Sequence, residues 1–513
     1  MKLGIIPYQE NTDFVSGKDT IDNRPFLPNF QTTHNYKDLE FVKPEDIPLN
    51  KRNFIYRVCS PNPLFKELGY CVSEYPFDEP GFNLMDRSNR ISLLQGTNDT
   101  ISVKEYLGWR TSRADVCIKE GTAYWEVEIL NGGTPIDKSA IKTANGNDAS
   151  NDNYNHRIPL QVKKDLLNTT PHVRMGISRR EASLEGPVGF DSYGYGLRDN
   201  ALESVHKGKI QQVLKTMDAV RSGDILSFVL ELPSIDVQKE QAAEYTRRRI
   251  EALIQHSTKI NNVSNNMDYA EENGPLRKKI KIQESRRAFQ KALLDDIDYD
   301  NVIRDHIAIR YKNQLFFEAT DYVKTTKPDY YSSDKRERED YYQLTGSSLR
   351  VYLNGEYLGN AFEDLKPVLP PFSELQYNEK FYQNYWRHGR PLEENSSDIR
   401  NSTYNLELKT ERGSLLRNKY VNNNKLGYYP TVSCFNGGTA RIITQPRKMK
   451  YLNDVKEHVR DIESLKTLDI IFEEQIAEDI VWDIIDEVEE CVTTSKEGVP
   501  MNARWEQKIL TLI

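Results

Sequence analysis

No window of this chain approaches the roughly 18 consecutive apolar residues that a membrane-spanning helix requires. The opening Met1-Lys2-Leu3-Gly4-Ile5-Ile6-Pro7 is broken by proline before the apolar part of a secretory signal can form. Neither a membrane span nor secretion by this route is expected. Cysteine is scarce as well. The five residues Cys59, Cys71, Cys117, Cys434 and Cys491 are odd in number, far apart and without a C-x-x-C pair. That pattern supports neither a disulfide framework nor a zinc finger and fits a reducing compartment. Triplets such as Asn98-Asp99-Thr100 and Asn401-Ser402-Thr403 matter for glycosylation only in a secreted protein, and read here as chance.

Positive charge is in deficit: 69 Lys and Arg stand against 77 Asp and Glu, giving a net charge of -8 and a pI of about 5.7. Non-specific wrapping of nucleic acid is therefore not expected as the main activity, because that affinity comes from clustered Lys and Arg. Catalytic signatures are missing too. The eight histidines include no H-E-x-x-H, there is no G-x-x-x-x-G-K-[ST] and no G-x-S-x-G, and Gly194-Tyr195-Gly196 lacks the third glycine of a dinucleotide loop. Cys117 and Cys434 lie in β-like runs, where a buried structural thiol is far commoner than a nucleophile. No cofactor or metal is expected, and binding is the expected work.

What is present is a chain of 513 residues with 38% hydrophobic and 28% charged residues and a mean hydropathy of -0.69. Such a composition pairs an ordered core with long solvated segments and excludes a coiled coil or a fully disordered chain. At roughly 150 residues per domain, the length allows three domains or one heavily inserted one. Strand patterns occur at 124–129, 172–177, 225–232, 314–319, 349–353, 356–358, 431–435 and 440–443, by alternation or by short continuous apolar runs. Asn354-Gly355 between two of them signals a tight hairpin. No repeat of solenoid or propeller period is present.

Polar inserts interrupt the strands at about 131–170, 235–303 and 388–416. The first contains the tract from Ala144 to Asn153, which carries too little apolar surface to offset the entropy of ordering it. The second is partly helical in pattern and contains Arg277, Lys278, Lys279 and Lys281, a basic cluster of the kind used for nuclear import or nucleic-acid contact and equally of the kind that is simply solvated. Toward the C-terminus, 468–490 is an amphipathic helix by spacing. Ile476, Ile480, Ile484 and Val488 form one line, Val481 and Ile485 widen it, and the acids mostly fall opposite. Between Glu473 and Glu490 there is no Lys or Arg, so ion pairs along the helix cannot support it and it needs a surface to pack on.

Three segments together resemble the SPRY domain of the Ash-two family: Gly108 to Arg113 with Gly121 to Val127, His172 to Arg198, and Gly427 to Ser433. The likeness continues through the N-terminal Met1 to Tyr8, the run Asn418 to Tyr429 and the terminal helix, covering nearly the whole chain outside the inserts. It implies a mainly β fold, a SPRY-type β-sandwich with long polar inserts and a C-terminal amphipathic α-helix. It divides the chain into an N-terminal extension (1–55), the SPRY domain (56–445), a C-terminal segment (446–492) with the helix at 468–490, and a tail (493–513). The cysteine spacing cannot build the zinc finger that larger members carry before the SPRY domain.

The resemblance further implies a nuclear, non-catalytic scaffold subunit of COMPASS, the complex that methylates lysine-4 of histone H3. Trp109, Arg174, Pro187 and Phe190 would bind the WD-repeat subunit (Swd-one in fungi) beside the catalytic SET subunit. The helix, through Ile476, Ile480, Val481, Ile484, Ile485 and Val488, would bind a small helical dimer of the Dpy-thirty type (Sdc-one in fungi). The nucleosome would be met through the complex. On the residues alone, the favoured reading makes Trp109 and Phe190 core residues and Arg174 a solvated strand residue, and the helix stripe reads equally as packed on its own domain. The alternative function is a SPRY-type adaptor that presents peptides outside a methyltransferase complex; an enzyme with a hidden site comes third.

Overall fold

Alternation along the central strands assigns one face of each to the core. A computed structural model of the protein describes residues 30–50, 54–61, 71–133, 170–214, 220–248, 306–312, 314–320, 343–369, 425–458 and 464–497. Most of the three inserts, the basic run from Arg277 to Lys281 and the residues after 497 lie outside these.

Two large antiparallel sheets form the body. The ten-stranded one runs β1 (Phe30–Tyr36), β2 (Leu39–Pro44), β6 (Ile91–Leu94), β7 (Thr100–Val103), β20 (Thr439–Ile443), β9 (Gly121–Asn131), β14 (Ile225–Leu232), β17 (Leu344–Leu353) and β18 (Glu356–Leu365), with β21 (Leu465–Thr467) added parallel to β9. The seven-stranded one runs β13 (Lys209–Gln211), β12 (Ser204–His206), β11 (Gly194–Arg198), β10 (His172–Ser178), β19 (Tyr429–Phe435), β8 (Arg110–Ala114) and β5 (Phe82–Arg87). A four-stranded sheet of β15 (His306–Tyr311), β16 (Gln314–Thr320), β3 (Phe54–Pro61) and β4 (Cys71–Glu74) stands beside them. Helices span 235–248 (α1), Leu452–Lys456 (α2) and Leu468–Glu497 (α3).

Trp125 and Val127 of β9, Phe228 and Leu230 of β14, Val173, Met175 and Ile177 of β10, and Val432 of β19 share one buried cluster, which places the main core between the two large sheets. Strand β14 reads ILSFVLEL with almost no polar break because both its faces are covered. Its other face, with Tyr124 and Tyr352, meets Leu452, Val455 and Leu465 of the C-terminal segment. The Asn354-Gly355 turn joins β17 to β18 with both residues at positive φ (50° and 88°), the geometry of a tight hairpin.

Every strand pattern read from the sequence is a strand. Those missed are mainly short, or alternate weakly, as in β8 (RTSRA), where the buried residues are polar. Strands β1 and β2 lie inside the stretch 1–55 read as an extension, yet they pair onto β6 and bury Phe41 and Val42. The insert read from 235 as partly helical begins with α1. Among the described residues no helix is long and apolar enough to cross a membrane.

Candidate protein-interaction faces

The first face is built on β10, which places Arg174 between Ser433 of β19 and Arg198 of β11. Trp109 immediately precedes β8, and its ring lies 5.3 Å from that of Phe435. The Arg174 guanidinium sits over the Trp109 ring at 5.0 Å, a cation–π stack. The segment after β10 folds back over this pair. The Val188 N–H donates to Ser433 Oγ at 2.9 Å, the Thr111 hydroxyl donates to the Gly186 carbonyl at 2.6 Å, and Arg174 Nη1 donates to the Val188 carbonyl at 3.3 Å.

A turn closed by the Phe190 N–H on the Pro187 carbonyl, 3.1 Å, then turns the Phe190 ring outward, where it is 52% exposed. Gly189 makes this turn possible. Its φ is +81°, and a Cβ there would stand 2.2 Å from the Val205 carbonyl oxygen.

All four residues expected on this face are therefore brought together. Trp109, Arg174 and Pro187 are half-buried rather than fully core or fully solvated. Burial, and then the neighbouring Arg198 cation, push the Arg174 guanidinium down to about 10, so it remains charged at neutral pH. Its Nε is buried without a hydrogen-bond partner among the described residues. A stacked, half-buried cation suits a carboxylate or carbonyl brought by a partner. The buried Ser433 and Thr111 that fix the loop carry no functional signature in the sequence; only the register of β19 against β8 and β10 brings them under it.

The second face is α3. Its buried positions are Leu468, Phe472, Gln475, Asp479 and Asp483, a line that begins apolar and turns polar. The apolar start enters the core, where Phe472 meets Tyr75 edge-on at 4.9 Å. Further along, polar groups do the holding. Asp479 Oδ2 accepts from Arg57 Nη2 at 2.5 Å, from the Tyr75 hydroxyl at 2.6 Å and from Lys425 Nζ at 3.1 Å. Asp483 accepts the Ser73 N–H at 3.1 Å, Gln475 accepts the Cys117 N–H at 3.2 Å, and Glu478 pairs with Lys119 at 2.8 Å. Burial alone would raise the Asp479 carboxyl, but the Arg57 and Lys425 cations outweigh it and hold it well below the usual carboxylate range.

Opposite this seam the helix is apolar and wet: Ile480 is 54% exposed, Val481 55%, Ile484 51% and Ile485 37%. The helix is thus inverted relative to an ordinary surface helix, with carboxylates toward its own domain and branched aliphatics toward solvent. Of the six stripe residues read from the sequence, Ile476 differs, being partly buried against the core. Val488 lies in the helix, but its side chain is outside the described residues. The cations that the helix lacks are supplied by Arg57, Lys119 and Lys425. Arg277, Lys278, Lys279 and Lys281 fall outside the described residues. The Cys117 and Cys434 thiols are buried, and burial raises both, which makes them poor nucleophiles.

No family model matches the chain. It is 54% identical over 507 residues to the COMPASS component BRE2 of Saccharomyces cerevisiae, which covers 96% of this chain and 99% of that relative. The chain belongs to the family of COMPASS components that includes BRE2. Within the family, the COMPASS component cclA of Emericella nidulans is 26% identical over 88% of this chain and 61% of its own length. The Set1 complex component ash2 of Schizosaccharomyces pombe is 25% identical over 94% of this chain and 51% of its own length. Among solved structures, the SPRY domain of human HERC1 is similar at 10% identity and a TM-score of 0.27, covering 72% of this chain and all of that domain.

Proposed function

We propose that this protein is a non-catalytic scaffold subunit of the nuclear COMPASS complex and supports methylation of histone H3 lysine-4 by holding other subunits. The face of Trp109, Arg174, Pro187 and Phe190 binds the WD-repeat subunit, Swd-one, beside the catalytic SET subunit. Helix α3 seats Ile480, Val481, Ile484, Ile485 and Val488 in the groove of the small Dpy-thirty-type dimer, Sdc-one. The nucleosome is reached through the complex. Its contribution to catalysis is indirect: by favouring one arrangement of its partners it raises the population of the active SET arrangement, within the limit set by its differential affinity for the two.

The observation that carries this reading is the inverted helix. A run of half-exposed branched aliphatics on a helix fixed by its other side is an apolar face in want of a partner. Burying what remains exposed of Ile480, Val481, Ile484 and Ile485 is worth roughly 3–6 kcal/mol. Association costs about 4–15 kcal/mol. The contact therefore depends on further apolar residues such as Val488 and on a helix that is ordered beforehand.

Affinity purification of the full chain from nuclear extract tests both halves. The wild type is expected to bring down WD-repeat and SET subunits together with a small dimeric protein. The double variant Ile480→Asp/Ile484→Asp should lose the dimer alone. Retention of the dimer by that variant refutes the helix assignment; absence of methyltransferase subunits with the wild type leaves the peptide-presenting adaptor as the function of the Arg174 face.

A further inference from the structure

We infer that the polar seam of Arg57, Tyr75, Lys425 and Ser73 against Asp479 and Asp483 is a positioning device that sets the rotational phase of α3 and so presents a preformed apolar stripe to the dimer. The inference rests on the proposed reading of the helix and adds residues to it that do not touch the partner.

Two faces of α3 compete for the domain surface. By burial of apolar area alone, the line of Ile480, Val481, Ile484 and Ile485 would turn inward and the carboxylates outward. The reverse is found. Asp479 and Asp483 are 3% and 4% exposed, and the aliphatics are about half exposed. The platform explains the reversal: it presents cations and N–H donors rather than an apolar groove. Arg57 comes from β3, Ser73 from β4, Tyr75 from just beyond it, Lys425 from the segment before β19, and the Cys117 N–H from the segment after β8.

Rotating the helix to bury its aliphatics would leave Arg57, which is itself stacked on the Tyr75 ring at 5.1 Å, and Lys425 without their shared anion. A buried unpaired charge costs more than a short apolar stripe returns. Gln475, Asp479 and Asp483 repeat every four residues, so the seam fixes one line along the helix. That line stands about 100° from Ile480 and Ile484 and about 200° from Val481 and Ile485, which leaves the stripe outward. A helix fixed in this way pays its ordering entropy on folding and not on binding, and tighter binding follows from that alone.

The test uses the full chain and purified dimer. Asp479→Asn and, separately, Lys425→Gln are expected to weaken dimer binding about tenfold. They should also speed amide exchange over 472–485 while leaving β9 and β14 protected. A short thiol crosslink between cysteines introduced by Ser73→Cys and Asp483→Cys, in the Asp479→Asn background, restores wild-type affinity and restores nothing after reduction of a cleavable linker. Positioning is refuted if both single variants bind like wild type, or if the crosslinked protein stays weak, which would make Asp479 a contact. If Ile484→Asp also binds like wild type, or the wild-type chain does not bind the dimer, the reading of the helix itself falls and this inference with it.

Discussion

Arg57 and Asp479 stand 422 residues apart in the chain and 2.5 Å apart in the fold. Through that pair β3, an inner strand of the four-stranded sheet laid down early in the sequence, holds the helix that ends the described chain. Its free energy is weighted toward the cost of breaking it. With side-chain exposures of 14% and 5%, removing one partner leaves the other charged and buried.

Arg57→Met should therefore destabilise the protein by roughly 3–5 kcal/mol, read as a lower urea midpoint for the transition that releases α3. The pH dependence follows from the depressed Asp479 carboxyl. A carboxyl held below its unfolded range adds stability that is fully present above that range and is lost as pH falls through the folded value. Helix docking, followed by Trp482 fluorescence, should weaken only in acid, and Asp479→Asn should flatten that acid limb.

Asp115 behaves in the opposite sense. Burial pushes its carboxyl from the usual 3.8 up to about 7, against hydrogen bonds from Gly81, Asn83 and Asn98. A carboxyl raised on folding adds stability that is whole below about pH 4 and is lost as pH rises to about 7. Asp115→Asn should raise stability above pH 7 by an amount on the order of 2–4 kcal/mol. The difference should shrink toward pH 4, as urea midpoints across that window will measure.

On the first face, Arg174→Ala should weaken binding of the WD-repeat subunit by about 2 kcal/mol, near thirtyfold, in a titration calorimeter. Arg174→Lys should recover little of this, because an ammonium lacks the planar fork that stacks on Trp109. Unaltered affinity of both variants would put the interface elsewhere.

Gly189→Ala tests the loop without touching its exposed ring. A Cβ 2.2 Å from the Val205 carbonyl, at φ +81°, must displace the Pro187–Phe190 turn. Loss of WD-repeat binding is expected, with the far-UV circular dichroism of the sheets unchanged.

Much of this protein was written in its sequence. Period-2 runs located the central strands, because one face of each must be apolar where two sheets meet. Asn354-Gly355 located a hairpin, because both residues must take positive φ. Period-3.6 spacing located α3 and told which residues share its faces. The polar run RTSRA of β8 carried no such signal, since Thr111 and Arg113 are buried by hydrogen bonding and ion pairing and not by hydrophobicity. Nor could any local pattern join Trp109 to Arg174, or Val188 to Ser433, because strand register decides those neighbours.

The direction in which α3 faces was also beyond the sequence. Periodicity divides a helix into an apolar line and a charged line, and the hydrophobic effect by itself turns the apolar line inward. Which line meets the domain depends on what the platform offers, and the platform is assembled from Arg57, Ser73 with Tyr75, Cys117 and Lys425, four separate segments of the chain that precede the helix. Only the tertiary structure puts cations and donors there, and their charge turns Ile480 and Ile484 outward.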